Sequence, residues 1–249
     1  MSTHGVDDAL PVVVTPGTHA ATETRTLPLG DAIVRLGVML AIAAVAGQTL
    51  VHIADDVLFD SRWDILNADR EQNIPTWASA AAAFAAAVGA LLGAVVPGRS
   101  RWVYGGLAAI LAYFSLDDAV GLHELIVHER VDELGPIEHA ARVVWPVVYL
   151  PLLVGGLALL VLVSRPAIRS ARLAILTGLG MLVAAVVVEV LGTLTLELGL
   201  SETSFGYTLQ VVIEEGLELG GWVMIATGLI GDAMARATET RATETRRPV

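Results

Sequence analysis

Five long stretches of this chain carry no charged residue: 37–51, 76–97, 102–116, 143–163 and 173–188. A helix crosses the hydrocarbon core of a bilayer with about 20 apolar residues. Five such runs do not fit a water-soluble core, where roughly 25% of residues are charged. Here the charged share is 16% of 249 residues. The sequence therefore predicts an all-α, polytopic transmembrane bundle of about six spans. They are read near 33–53, 76–96, 102–125, 143–163, 172–197 and 206–231. The spans must be helical because backbone groups in lipid have to bond within their own segment.

The arginines set an expected orientation. With the N-terminus inside, the inner segments hold eleven of the 15 basic residues. The outer loops hold only Arg62, Arg70, Arg130 and Arg142. The positive-inside rule then favours both termini in the cytoplasm. Residues 1–28 and 235–249 are expected to be disordered cytoplasmic tails flanking a transmembrane domain over 29–234. The segment ATETR recurs at 21–25, 237–241 and 242–246, which agrees with solvated tails. The first 28 residues lack the basic and apolar regions of a signal peptide, so no cleavage is expected. There is no cysteine, which excludes disulfides, thiolate ligands and thiol nucleophiles. A net charge of −11 argues against nucleic acid as a partner. Membrane lipid is the expected partner. The small-xxx-small pairs Gly89/Gly93 and Gly216/Gly220 suit close helix contacts, including those of a homo-oligomer.

Ionisable residues inside the spans carry the functional information, since each costs about 2.5–3.5 kcal/mol to insert. The first span ends with Gln48, His52, Asp55 and Asp56 on one face. Asp55, Asp56, Asp60 and Asp64 are expected to form a wet outer loop. The third span carries SLDDAVGLHELIVHE. At 100° per residue Asp117, Gly121, Glu124 and His128 make one stripe, with Asp118 and His123 to either side. The fifth carries Glu189 with Thr193 one turn on. In the sixth, Gln210, Glu214 and Glu218 align, with Glu215 beside them and Gly216 and Gly220 opposite. All four stripes fall in the outer half of the bundle. Glu189 and Glu214 sit roughly 12–14 Å deep at 1.5 Å per residue.

So many carboxylates in a low-dielectric space need protons or cations to neutralise them. Carboxylates mixed with histidines form the ligand set of di-metal sites in helix bundles. The expected ligands of a divalent metal, with iron, zinc and manganese not distinguished, are His52, Asp117, Asp118, His123, Glu124, His128, Glu189, Glu214, Glu215 and Glu218. The E-x-x-H spacing of di-iron bundles is missing from the membrane acids, so a standard di-iron enzyme does not follow.

The pair SLDDAVGLHE and VIEEGLELGG resembles a group of bacterial multi-pass membrane proteins. These carry an acid pair followed by His-Glu in one helix and Glu-Glu-x-x-Glu-x-x-Gly in the last. The resemblance implies a bacterial cytoplasmic membrane and a shared polar site at Asp117, Asp118, His123, Glu124, Glu214, Glu215 and Glu218. It carries no activity.

The leading expectation is a metal-dependent membrane enzyme acting on a lipid or other apolar substrate near the outer leaflet. A bound water would supply its reactive group. The alternative is a proton- or cation-coupled transporter, for which midplane acids are usual coupling sites. The inner halves of the first and third spans are apolar, which offers a transporter no polar path. A non-catalytic sensor is the third class, with no appended domain to support it.

Overall fold

A computed structural model of the chain describes residues 28–59, 63, 65–66, 73–122, 147–199, 201 and 204–244. The described residues form six helices and no strand. They are α1 (Leu29–Phe59), α2 (Ile74–Ala94), α3 (Arg101–Val120), α4 (Leu150–Ser164), α5 (Arg169–Glu197) and α6 (Phe205–Glu244). Five are long and apolar enough to cross a membrane. The 15-residue α4 is apolar but short of that length.

Local chemistry fixes several boundaries. Asn73 caps α2 by accepting the Thr76 amide at 2.7 Å, and Pro75 sits in the first turn, where its missing N–H costs nothing. Ser100 caps α3. At the other end of α3, Gly121 turns left-handed at φ +64°, and its amide bonds the Asp117 carbonyl at 2.7 Å. This corrects the span read over 102–125: the helix that begins at Arg101 stops at Val120. His123, Glu124 and His128 themselves lie outside the described residues, as does the tail over 1–27. At the C-terminus, α6 continues through Glu244, beyond the tail boundary read at 234. Its last turns, ARATETRATE, combine the helix formers Ala, Arg and Glu with three Thr and are not apolar.

Helix α6 is the central post. Buried residues make up 72% of its most apolar stretch, against 22% in α1 and α5. It packs against α1, α2 and α5, while α3 lies behind α2 and α4 rests loosely between α3 and α5. Ala83, Ala86, Ala87 and Ala90 of α2 are buried with Leu107 and Leu111 of α3 and Ile225 and Leu229 of α6. The alanine run is thus a close-packing face. Small residues also bring α5 and α6 to backbone contact. A Cβ on Gly178 would lie 2.5 Å from the Gly221 carbonyl, and one on Gly228 would lie 2.8 Å from that of Ala171. Gly89 faces Leu229 and Ile230, and Gly216 and Gly220 face Val45. The small-xxx-small faces read as a possible oligomer contact are therefore used within the chain.

The outer surface suits lipid. Leu36, Met39, Leu40 and Ile42 of α1 are exposed. Trp77 and Trp102 are 71% and 79% exposed at opposite ends of the α2–α3 pair. Their separation is roughly 25 Å at 1.5 Å per residue, matching two aromatic belts.

One end of the bundle gathers arginines. Asp232 of α6 is buried there, 2.5 Å from the Arg99 guanidinium and 3.0 Å from the Ile168 amide. Arg236 pairs with Asp232 and donates to the Pro166 carbonyl. This clamp ties α6 to the α2–α3 and α4–α5 connections. Burial pushes the Arg99 guanidinium below its usual value, and the charge of Asp232 pulls it back up. The opposite end is where the acids sit.

Candidate functional site

Between α3, α4, α5 and α6 lies a cavity of about 470 Å³. It exists because α4 stands away from its neighbours while α6 turns its glycine face to α1. The Glu214 face of α6 is left to look inward, the two-sided arrangement that the sequence suggested. Six of the expected ligand residues line this one space: Asp117 and Asp118 from α3, Glu189 from α5, and Glu214, Glu215 and Glu218 from α6. The facing wall is apolar and includes Leu153 and Leu157 of α4, Leu182 of α5, and Phe114 and Trp222.

Neutral donors orient several of these carboxyl groups. The Tyr149 hydroxyl donates to Asp117 Oδ1 at 2.8 Å and accepts from the Tyr113 hydroxyl at 2.8 Å. Gln210 Nε2 donates to Glu214 Oε2 at 3.2 Å, and Trp222 Nε1 donates to Glu218 Oε1 at 3.3 Å. Such donors steer an acid without cancelling its charge. Tyr149→Phe removes the donor to a buried acceptor and is expected to cost about 1–2 kcal/mol, measured by denaturant titration in detergent. Tyr113→Phe, one step further from the acid, is expected to cost less.

His52 departs from the expected set. It is buried on α1, on the other side of α6, and does not line the cavity among the described residues. Shared-face spacing placed it inward correctly; which neighbour that face would meet was not encoded. Asp55 also departs from the wet-loop expectation. It is only 1% exposed and accepts the Trp63 amide at 3.2 Å. The Asp56 side chain, Asp60 and Asp64 lie outside the described residues. Among the described residues no three His, Asp or Glu side chains come together closely enough to hold a metal ion.

Sequence reasoning missed Tyr113, Tyr149, Trp222 and Asp232. Trp222 was within reach, being four residues from Glu218 as Gln210 is from Glu214. Asp232 was also within reach, being four residues before Arg236 at the end of an apolar run. The tyrosines gave no signal, because α3 and α4 meet only through the tertiary fold.

No curated protein and no solved structure matches the chain. A family model described as "Domain of unknown function (DUF8692)" matches residues 32–230. The match begins in α1 and ends in α6, so it takes in all the described wall of the cavity. The chain belongs to the DUF8692 family.

Proposed function

We propose that the chain is a six-span protein of the bacterial cytoplasmic membrane, with both termini inside, that acts on an apolar or lipid substrate held in the acid-walled cavity. The observation that carries this reading is the cavity itself. Six acid residues from three helices meet in one space whose other walls are leucine, valine and aromatic. Pockets of about 300–1,000 Å³ suit organic ligands, whereas a bare metal ion needs far less room. The arginine clamp lies at the end that the positive-inside rule assigns to the cytoplasm, so the acids fall in the outer half.

A divalent metal working beside such a substrate is a second reading, favoured by the carboxylate-rich wall. Iron, zinc or manganese would need donors beyond the described set. His123, Glu124 and His128, which follow the Gly121 cap in sequence, are the candidates. The metal would supply a polarised water or a Lewis acid.

Gly156 supplies the test. A Cβ there would meet Ile110 at 3.4 Å and Phe114 at 3.6 Å, ordinary contacts, so a leucine can extend into the cavity. Purified protein is expected to release a bound organic molecule detectable by mass spectrometry. Gly156→Leu is expected to lose it while melting within a few degrees of the parent. Retention of the molecule in that variant contradicts the reading. Metal analysis separates the second reading: a metal-free protein of full stability and ligand content removes the ion. Cation flux in proteoliposomes that vanishes in Glu214→Gln would favour the transporter alternative.

A further inference from the structure

The two halves of α4 are held very differently. Its second half is built into the bundle: Gly156, Leu160, Val163 and Ser164 are buried, and Leu160 and Val163 share the core of Leu107 and Ile225. The Arg172 guanidinium ties down that end, donating to the carbonyls of Ser164, Arg165 and Ala167 at 3.2, 2.6 and 3.4 Å. Residues 150–155 include no buried residue, and Leu150 and Val154 are 54% and 53% exposed. Leu153 and Val154 of this stretch nevertheless line the cavity.

Weak points of the helix bound this stretch on both sides. Pro151 sits in the first turn and has no amide to donate, and Gly155 and Gly156 are poor helix formers. Glycine pairs are recurrent sites of helix bending. Over 147–155 the one buried residue is Tyr149, directly before α4. Its hydroxyl donates to Asp117 and accepts from Tyr113, and its ring lies 5.9 Å from that of Tyr113. Tyr149 thus fastens one end of α4 onto α3, as Leu160 and Val163 fasten the other end into the core. Asp117 joins the fastening to the cavity, because it also lines that space.

We infer that residues 150–155 form a strap across the cavity, latched by the Tyr149 hydroxyl on Asp117 and hinged at Gly155 and Gly156, whose displacement admits and releases the ligand. The gating role rests on the cavity being the ligand site. The latch and the hinge stand on the packing alone. A strap with few buried side chains opens at small cost, so one buried hydrogen bond is enough to set how often it does.

The chain has no cysteine, so pairs of spin labels can be placed at will on the full protein in phosphatidylcholine nanodiscs. One pair, Leu150→Cys with Leu50→Cys, sets exposed positions of the strap and of α1 against each other. A second pair, Leu162→Cys with Leu36→Cys, does the same for the anchored half of α4. Each pair should give one narrow distance in the parent. Tyr149→Phe keeps the ring and removes the hydroxyl. It should raise a displaced population about fivefold or more at the first pair and leave the second unchanged. Asp117→Leu should reproduce that shift, and the two changes together should add little to either alone. Tyr113→Phe, which spares the bond to Asp117, should match the parent. Tyr149→Phe should also lose the bound organic molecule during washing about fivefold faster or more. An unchanged first distance in Tyr149→Phe would overturn the latch, and equal broadening of both pairs would overturn the hinge. A displaced strap with an unchanged rate of loss would overturn the gate. A parent protein carrying no bound molecule would instead overturn the ligand reading and the gate with it, while the distances would still decide the latch.

Discussion

Gly178→Leu or Gly228→Leu is expected to abolish the folded bundle. These glycines let α5 and α6 approach until backbone meets backbone, since a Cβ on either would fall 2.5–2.8 Å from a carbonyl of the facing helix. A carbonyl cannot swing aside as a flexible side chain can, so the helices would have to separate. Overpacking of a core typically costs 1–3 kcal/mol and occasionally more. Here the displaced element is the central helix, on which α1 and α2 also pack, and the clash is with backbone, so a cost beyond that range is expected. Purified variants should elute as aggregate rather than as a single detergent-bound species. Gly180 is the internal control: it lies near Gly178 on the same helix, but nothing stands within 4 Å of its missing Cβ. Gly180→Leu is expected to behave as the parent, which separates tight packing from a general intolerance of bulk.

Asp232→Ala is expected to produce the next largest loss. It strips the carboxylate from a guanidinium whose side chain is only 7% exposed, and it leaves the Ile168 amide without its acceptor. Breaking a buried ion pair by removing one partner costs about 3–5 kcal/mol, because the other charge stays buried alone. Asp232→Asn keeps an acceptor for the amide and should cost less. The pair Arg99→Met with Asp232→Leu removes both charges and should recover much of the loss, as replaced buried pairs often do. Thermal unfolding in one detergent orders the three. An Asp232→Ala protein as stable as the parent would show that the clamp contributes nothing.

Much of the helix plan was legible because hydropathy over 20 residues is a strong signal. The expected second span, 76–96, lies two residues from α2 because Pro97 and Gly98 mark its end. The boundaries that were misread share a cause: local backbone chemistry overrode the apolar pattern. Gly121 ends α3 inside a stretch that still looks helical, and α6 runs on through residues that are helix-forming but polar. The acid stripe of α6 was legible from four-residue spacing alone, and its opposed glycines named the packing face. What spacing cannot give is the identity of the helix across the gap. Hence His52 was grouped with acids that lie on the other side of α6, and the tyrosine pair that reaches Asp117 was unforeseen.

The absence of cysteine makes one measurement direct. Gln210 lines the cavity one turn from Glu214. A Gln210→Cys protein in intact cells is treated from outside with cationic and anionic methanethiosulfonates, and each rate is normalised to that of a free thiol. The account expects modification from outside, with the cationic reagent faster by about tenfold or more, because carboxylates concentrate cations around the thiol. Equal rates for the two reagents, or modification only after the cells are opened, would contradict an acid-walled cavity reached from the outer half of the membrane.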